Sequence, residues 1–161
     1  MVTSLRSEAV LRREADRMFQ SRASVLVFAE MSAVPIWYPI RYEGPAVHQK
    51  AFTGSGFGVV FEDDGETGYS YATTESFHIL DAMLLYHDKG HPAKPSVGEP
   101  VYLVWHDVLL KAGIFYHDAF QAVVDFKNRT ACCRSGFPQK MGSWCTTPHT
   151  WTDLMVDGLE P

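Results

Sequence analysis

Cysteine is scarce in this chain, and the three present, Cys132, Cys133 and Cys145, are an odd number that cannot all pair within it. A domain of this length buries about two-thirds of its unfolded surface and needs no disulfide staples, so reduced thiols in a cytoplasmic setting are expected. Positive charge is also short: 14 Lys and Arg face 19 Asp and Glu, a formal net charge of -5. That balance argues against a nucleic-acid or anionic-membrane partner and leaves room for a basic protein. Long hydrophobic runs are missing. The most apolar stretch, Val25 to Ile40, is broken by Glu30, Pro35 and Pro39 and falls short of the ~20 residues a membrane helix needs. The first residues interleave Arg6, Arg12, Arg13, Arg17 and Arg22 with Glu8, Glu14 and Asp16, which is not the pattern of a secretory signal.

What is present is a hydrophobic fraction of 46% with 13% aromatics, enough for one ordinary core. Leu11, Ala15, Met18 and Phe19 form one apolar stripe and predict an amphipathic helix over about residues 4–20. Val25 to Phe28 and Ile36 to Tyr42 have the β-branched and aromatic content of strands, and Pro39 assigns the second to an edge or a bulge. Phe57 to Phe61 and Gly68 to Ala72 read as a hairpin joined by an acidic turn containing Asp64-Gly65, a strong hairpin signal. Thr73-Thr74 followed by Glu75 can open a helix, and Phe77 to His87 predicts a mostly buried one. Four further strands follow as a meander: Val101 to His106, Lys111 to Tyr116, Ala119 to Lys127 and Thr130 to Arg134. In the third, Gln121, Asp125 and Lys127 alternate with apolar residues and predict a partly wet face. Residues 136–161 read as irregular, able to close over the sheet through Trp144 and Trp151. The expectation is one α+β domain over 1–161: a mostly antiparallel sheet of about six to eight strands, an N-terminal amphipathic helix and a central buried helix.

No Gly-x-Ser-x-Gly elbow, His-Glu-x-x-His pair or dinucleotide fingerprint occurs to mark an enzyme class. Thr53-Gly54-Ser55-Gly56 lacks the following Lys-Ser/Thr and helix of a phosphate loop. The acidic run Glu62, Asp63, Asp64 and Glu66 has the wrong spacing for an EF-hand; it is either a hydrophilic turn or a charged knob for a basic partner. His87 and His91 have an i, i+4 spacing that can hold a metal on a helix, but Gly90 and Pro92 interrupt it and no third ligand is fixed nearby. Neither a metal nor a cofactor is expected. On a strand, Cys132 and Cys133 point to opposite faces and cannot share one site. A thiol beside Arg134 could be activated as a thiolate, and free cysteine is otherwise a small core residue. Trp37, Tyr38, Tyr42, Phe57, Phe61, Tyr69 and Tyr71 suit a packed sheet or a ligand cleft.

Three segments in order carry a resemblance: Gly58 through Tyr69 with its Glu-Asp-Asp-Gly-Glu-Thr-Gly run, Ile79-Leu80-Asp81-Ala82, and Val124-Asp125-Phe126 followed by Cys133-Arg134-Ser135-Gly136-Phe137-Pro138. Over about Phe52 to Asp153 the chain resembles a family of small bacterial proteins known only as a domain of unknown function. The resemblance implies a bacterial cytoplasmic setting and no catalytic residues. Small acidic α+β bacterial proteins of this kind include immunity-like inhibitors that neutralise a partner, an analogy of fold and charge alone.

Two readings follow. In the first, the chain is a non-enzymatic, protein-binding domain, immunity-like, meeting a basic partner through Glu62, Asp63, Asp64, Glu66, Tyr69 and Tyr71. In the second it is a small enzyme or small-molecule-binding domain with a cleft over the sheet near Asp81, Cys133 and Arg134. Self-association through a sheet edge or the first helix is a third possibility.

Overall fold

A computed structural model describes residues 33–88, 90–139 and 142–161. The predicted N-terminal helix at 4–20 and the strand at Val25 to Phe28 lie outside the described residues. Nine strands follow: β1 Ile36–Arg41, β2 Ala46–Phe52, β3 Phe57–Asp63, β4 Thr67–Thr74, β5 Ile79–His87, β6 Pro100–His106, β7 Lys111–Tyr116, β8 Ala119–Asp125 and β9 Thr130–Cys133. They make two antiparallel sheets, one of five strands in the order β1-β6-β7-β8-β9 and one of four in the order β2-β3-β4-β5. The sheets pack face to face around one core. Strand alternation supplies both inner faces, with Leu103, Trp105, Ile114 and Val124 on one and Phe52, Val59, Phe61 and Met83 on the other, all buried. Aromatic pairs span the interface. Phe52 stacks on Trp105 with centroids 4.0 Å apart, and Phe57 stacks on Phe126 at 4.4 Å.

The α+β expectation is therefore corrected to an all-β sandwich among the described residues, and the single sheet becomes two. The central helix is the main error: Phe77 to His87 contains β5. An apolar run such as Met83-Leu84-Leu85-Tyr86 has no period that separates strand from helix, and Leu, Met and Ala favour helix locally. The turn before it decides otherwise. Phe77 has φ 63°, a left-handed conformation that ends helical geometry. Thr74 N donates to His78 O at 2.9 Å, closing a hairpin into β5. Glu75 accepts from Gly56 N at 2.9 Å instead of favouring a helix start. The free edge of β5 is then covered: Leu84 N donates to Phe137 O at 3.0 Å and Ser135 Oγ donates to Leu84 O at 2.6 Å. Such covering protects a strand edge and ties the segment after β9 onto the opposite sheet.

Pro39 sits on β1, which among the described residues pairs only with β6, the edge placement its missing N–H requires. The expected wet face of β8 is another correction, since Gln121 and Asp125 are buried. Both serve turns: Gln121 Nε2 donates to Tyr116 O at 2.9 Å, and Asp125 accepts from Asn128 N and Nδ2, each at 2.8 Å.

Gly68 on β4 faces Tyr86 across the β4–β5 pair, and a Cβ there would lie 2.2 Å from the buried ring. Gly68→Ala is expected to cost about 1–3 kcal/mol by overpacking, read as a lower urea midpoint at unchanged slope. Gly142→Ala, where an added Cβ meets nothing within 4 Å, should stay within about 0.5 kcal/mol of the parent.

Candidate functional site

The acidic hairpin is shaped mainly by its own hydrogen bonds. Asp63 faces inward and is buried; it accepts from the Tyr42 hydroxyl and from Gly65 N at 2.6 Å, with Lys94 Nζ 3.7 Å away. Lys94 also donates to Gly65 O at 2.9 Å. Asp64 Oδ1 accepts from the amides of Glu66 and Thr67 at 2.9 and 2.7 Å, and these bonds hold its carboxyl below the ordinary range. Tyr69 and Tyr71 stack at 5.8 Å on the outer face of β4. Burial, then the hydrogen bond and charge of Glu62, push the Tyr71 phenol up. Asp63, on the inward face of the hairpin, is separated by alternation from Glu62, which lies opposite Tyr69.

Asp81, Cys133 and Arg134 do not meet in one cleft. Asp81 lies on the inner face of β5 and reaches the C-terminal segment, where His149 Nε2 contacts its Oδ2 at 2.7 Å. The other ring nitrogen, Nδ1, donates to Pro138 O at 2.7 Å. Both side chains are almost wholly buried, and Cys145 completes a cluster whose donor atoms lie within 4.8 Å of one another. Burial pushes the imidazole down, but the hydrogen bond and charge of Asp81 and the Pro138 carbonyl outweigh it and raise it above its ordinary 6.5. Cys133 belongs to the core between the sheets and Cys132 to the opposite face, as strand alternation requires. Burial raises both thiols, which opposes the thiolate form. Arg134 turns to the outer face of the five-stranded sheet, its guanidinium 3.8 Å from the Trp151 ring centroid and its Nε donating to Phe120 O at 2.9 Å. His87 and His91 come within 5.5 Å between ring centroids, but His87 ends a strand and its Nδ1 contacts Asp88 at 3.0 Å.

The outer face around Arg134 carries a second apolar layer. Val156 and Leu159 pack on Val104, Phe120, Val123 and Cys132, and Lys111 Nζ holds the segment down through Asp157 O at 3.2 Å. Beside that patch the sheet stays open as a cleft of about 980 Å³. Its floor is aromatic: Trp37 meets Phe115 edge-on at 4.9 Å and Tyr102 at 5.5 Å, while Phe115 meets Phe120 at 5.1 Å. Its rim carries Arg134 together with Asp118, Asp153 and Glu160, so carboxylates outnumber cations three to one.

Residues 42–160 match the family described as an uncharacterised protein conserved in bacteria, DUF2251. The chain belongs to the DUF2251 family. No curated protein and no solved structure is similar to it. The match contains the hairpin, the Asp81–His149 pair and most of the cleft of this DUF2251 chain, while Trp37 on the cleft floor precedes it. No helix among its described residues is long and apolar enough to cross a membrane. Sequence reasoning missed the partner of Asp81, because 68 positions separate it from His149 and no local spacing joins them. The one available signal was the acidic residue within an otherwise apolar run, which requires a buried partner.

Proposed function

We propose that this DUF2251 domain is a non-enzymatic binding protein that receives an apolar anchor of a basic protein partner in the cleft over its five-stranded sheet, in the manner of an immunity-like inhibitor. The observation that carries the reading is the pairing of an aromatic floor, Trp37, Tyr102, Phe115 and Phe120, with a rim on which Asp118, Asp153 and Glu160 outnumber Arg134. Aromatic clusters in a concave, partly desolvated patch supply binding energy. The acidic rim and the net charge of -5 favour a partner of opposite sign and speed its approach. The hairpin carboxylates support this placement less well, because Asp63 and Asp64 are engaged within the chain. A second reading, a small-molecule cleft, draws support from the volume, which lies in the range of ligand pockets.

A peptide array on the purified full chain tests the proposal. Aromatic peptides flanked by Lys and Arg should bind, and peptides with the same aromatic flanked by Asp and Glu should not. Phe115→Ala should weaken binding about tenfold or more. Asp118→Lys, an exposed change, should slow association and flatten its salt dependence. Equal binding of both peptide sets, or binding indifferent to both variants, overturns the placement.

A further inference from the structure

The polar cluster behind β5 is not used by the cleft. We propose that Asp81, Cys145 and His149 form a binding site for one divalent transition-metal ion of the zinc class. Asp81 on β5 lies 68 positions from His149, which shares one C-terminal segment with Cys145, yet a carboxylate oxygen, a thiol sulfur and an imidazole nitrogen converge to within 4.8 Å of one another. All three residues are buried, and polar groups so placed have to find their partners within the site. A dication balances one carboxylate and one thiolate. The mixed N, O and S donor set suits zinc and disfavours magnesium or calcium, which take oxygen donors.

The imidazole is prepared for ligation. Its Nδ1–H is spent on Pro138 O at 2.7 Å, the backbone-carbonyl anchor that fixes the tautomer of metal-binding histidines and leaves Nε2 to the ion. Nε2 is directed at Asp81 Oδ2, 2.7 Å away. An ion at about 2.0–2.1 Å from each atom would open that contact to roughly 3.3 Å in a tetrahedron. It would take the place of the proton between Nε2 and Oδ2 and of the thiol proton, both released to solvent. Cys145 Sγ rests on Thr147 O at 3.2 Å, so its departure from that carbonyl is the local adjustment required. Three protein ligands leave one tetrahedral position, which a water fills. The site would pin the C-terminal segment to β5, at the same edge that Ser135 and Phe137 cover.

The test uses the full chain, freed of any histidine tag and stripped with chelator, then titrated with zinc against a chromophoric competitor. About one equivalent should bind. Cobalt(II) should give the intense visible absorption of a tetrahedral ion together with a thiolate-to-cobalt charge-transfer band. Cys145→Ser, nearly isosteric, should abolish that band and weaken zinc binding at least about tenfold. Cys132→Ser, on the opposite face of β9, should leave both unchanged. Absence of stoichiometric zinc binding in the parent chain, or zinc binding and a thiolate band that survive Cys145→Ser, overturns the site.

Discussion

In chelator-treated protein, His149→Ala is expected to lower the unfolding free energy by about 3–5 kcal/mol, the scale of breaking a buried ion pair by removing one partner. Asp81 would be left buried without its contact at Nε2, and Pro138 O without a donor. Asp81→Ala should cost a similar amount, because the imidazolium then lacks its counter-charge. The double variant should cost clearly less than the two singles together, since each removes the same interaction. Urea unfolding of the four proteins gives the coupling, and strict additivity would show that the contact contributes nothing of its own. The pH dependence has a definite sign. His149 is raised in the folded chain above its ordinary 6.5, so its contribution is complete below about pH 6.5 and is lost as pH rises through the higher folded value. The parent should therefore weaken from slightly acid to alkaline pH through this group, and His149→Asn should lack that component.

What could be read from the sequence follows from the range over which each signal acts. The β3–β4 hairpin was legible because Asp64-Gly65 is a local turn signal, and Gly65 does take the positive φ of 99° that such a turn asks of it. The opposed faces of Cys132 and Cys133 followed from the two-residue period of a strand. The strand β5 was not legible, because Ala82 to Leu85 is apolar on both sides and composed of helix formers. Its state is set by pairing with β4 and by the covering segment at Ser135 and Phe137, neither of which is local. The polar residues of β8 misled for a related reason: Gln121 and Asp125 are turned to nearby backbone groups, so alternation in polarity did not mean alternation in exposure. The cleft was partly legible. Arg134 and Trp37 stand out in the sequence as candidates, but Tyr102 and Phe115 do not, and only the sheet order brings β1, β6 and β7 together so that the four become neighbours.

Asp63→Ala is expected to cost about 3–5 kcal/mol, far more than a hydrophilic turn residue would. Its carboxylate is buried and accepts from Tyr42 and Gly65 N, with Lys94 beside it at 3.7 Å. Without it a largely covered ammonium loses its counter-charge and a phenol loses its acceptor. Asp63→Asn, which keeps an oxygen for Gly65 N, should cost less than Asp63→Ala. Asp64→Ala, at the exposed corner of the same turn, should shift the midpoint least. Thermal or urea unfolding of the three variants orders them, and an Asp63→Ala protein as stable as the parent would return the whole acidic run to the surface role its sequence suggests. The consequence reaches the binding question. Charge reversal at Asp63 reports on folding before it reports on any partner, so lost binding in such a variant says nothing about the hairpin as an interface. The exposed rim carboxylates Asp118 and Glu160 can be reversed without disturbing a buried partner, whereas Asp153 accepts from Trp151 Nε1 at 2.8 Å, and at those two a change in association rate measures attraction between two proteins.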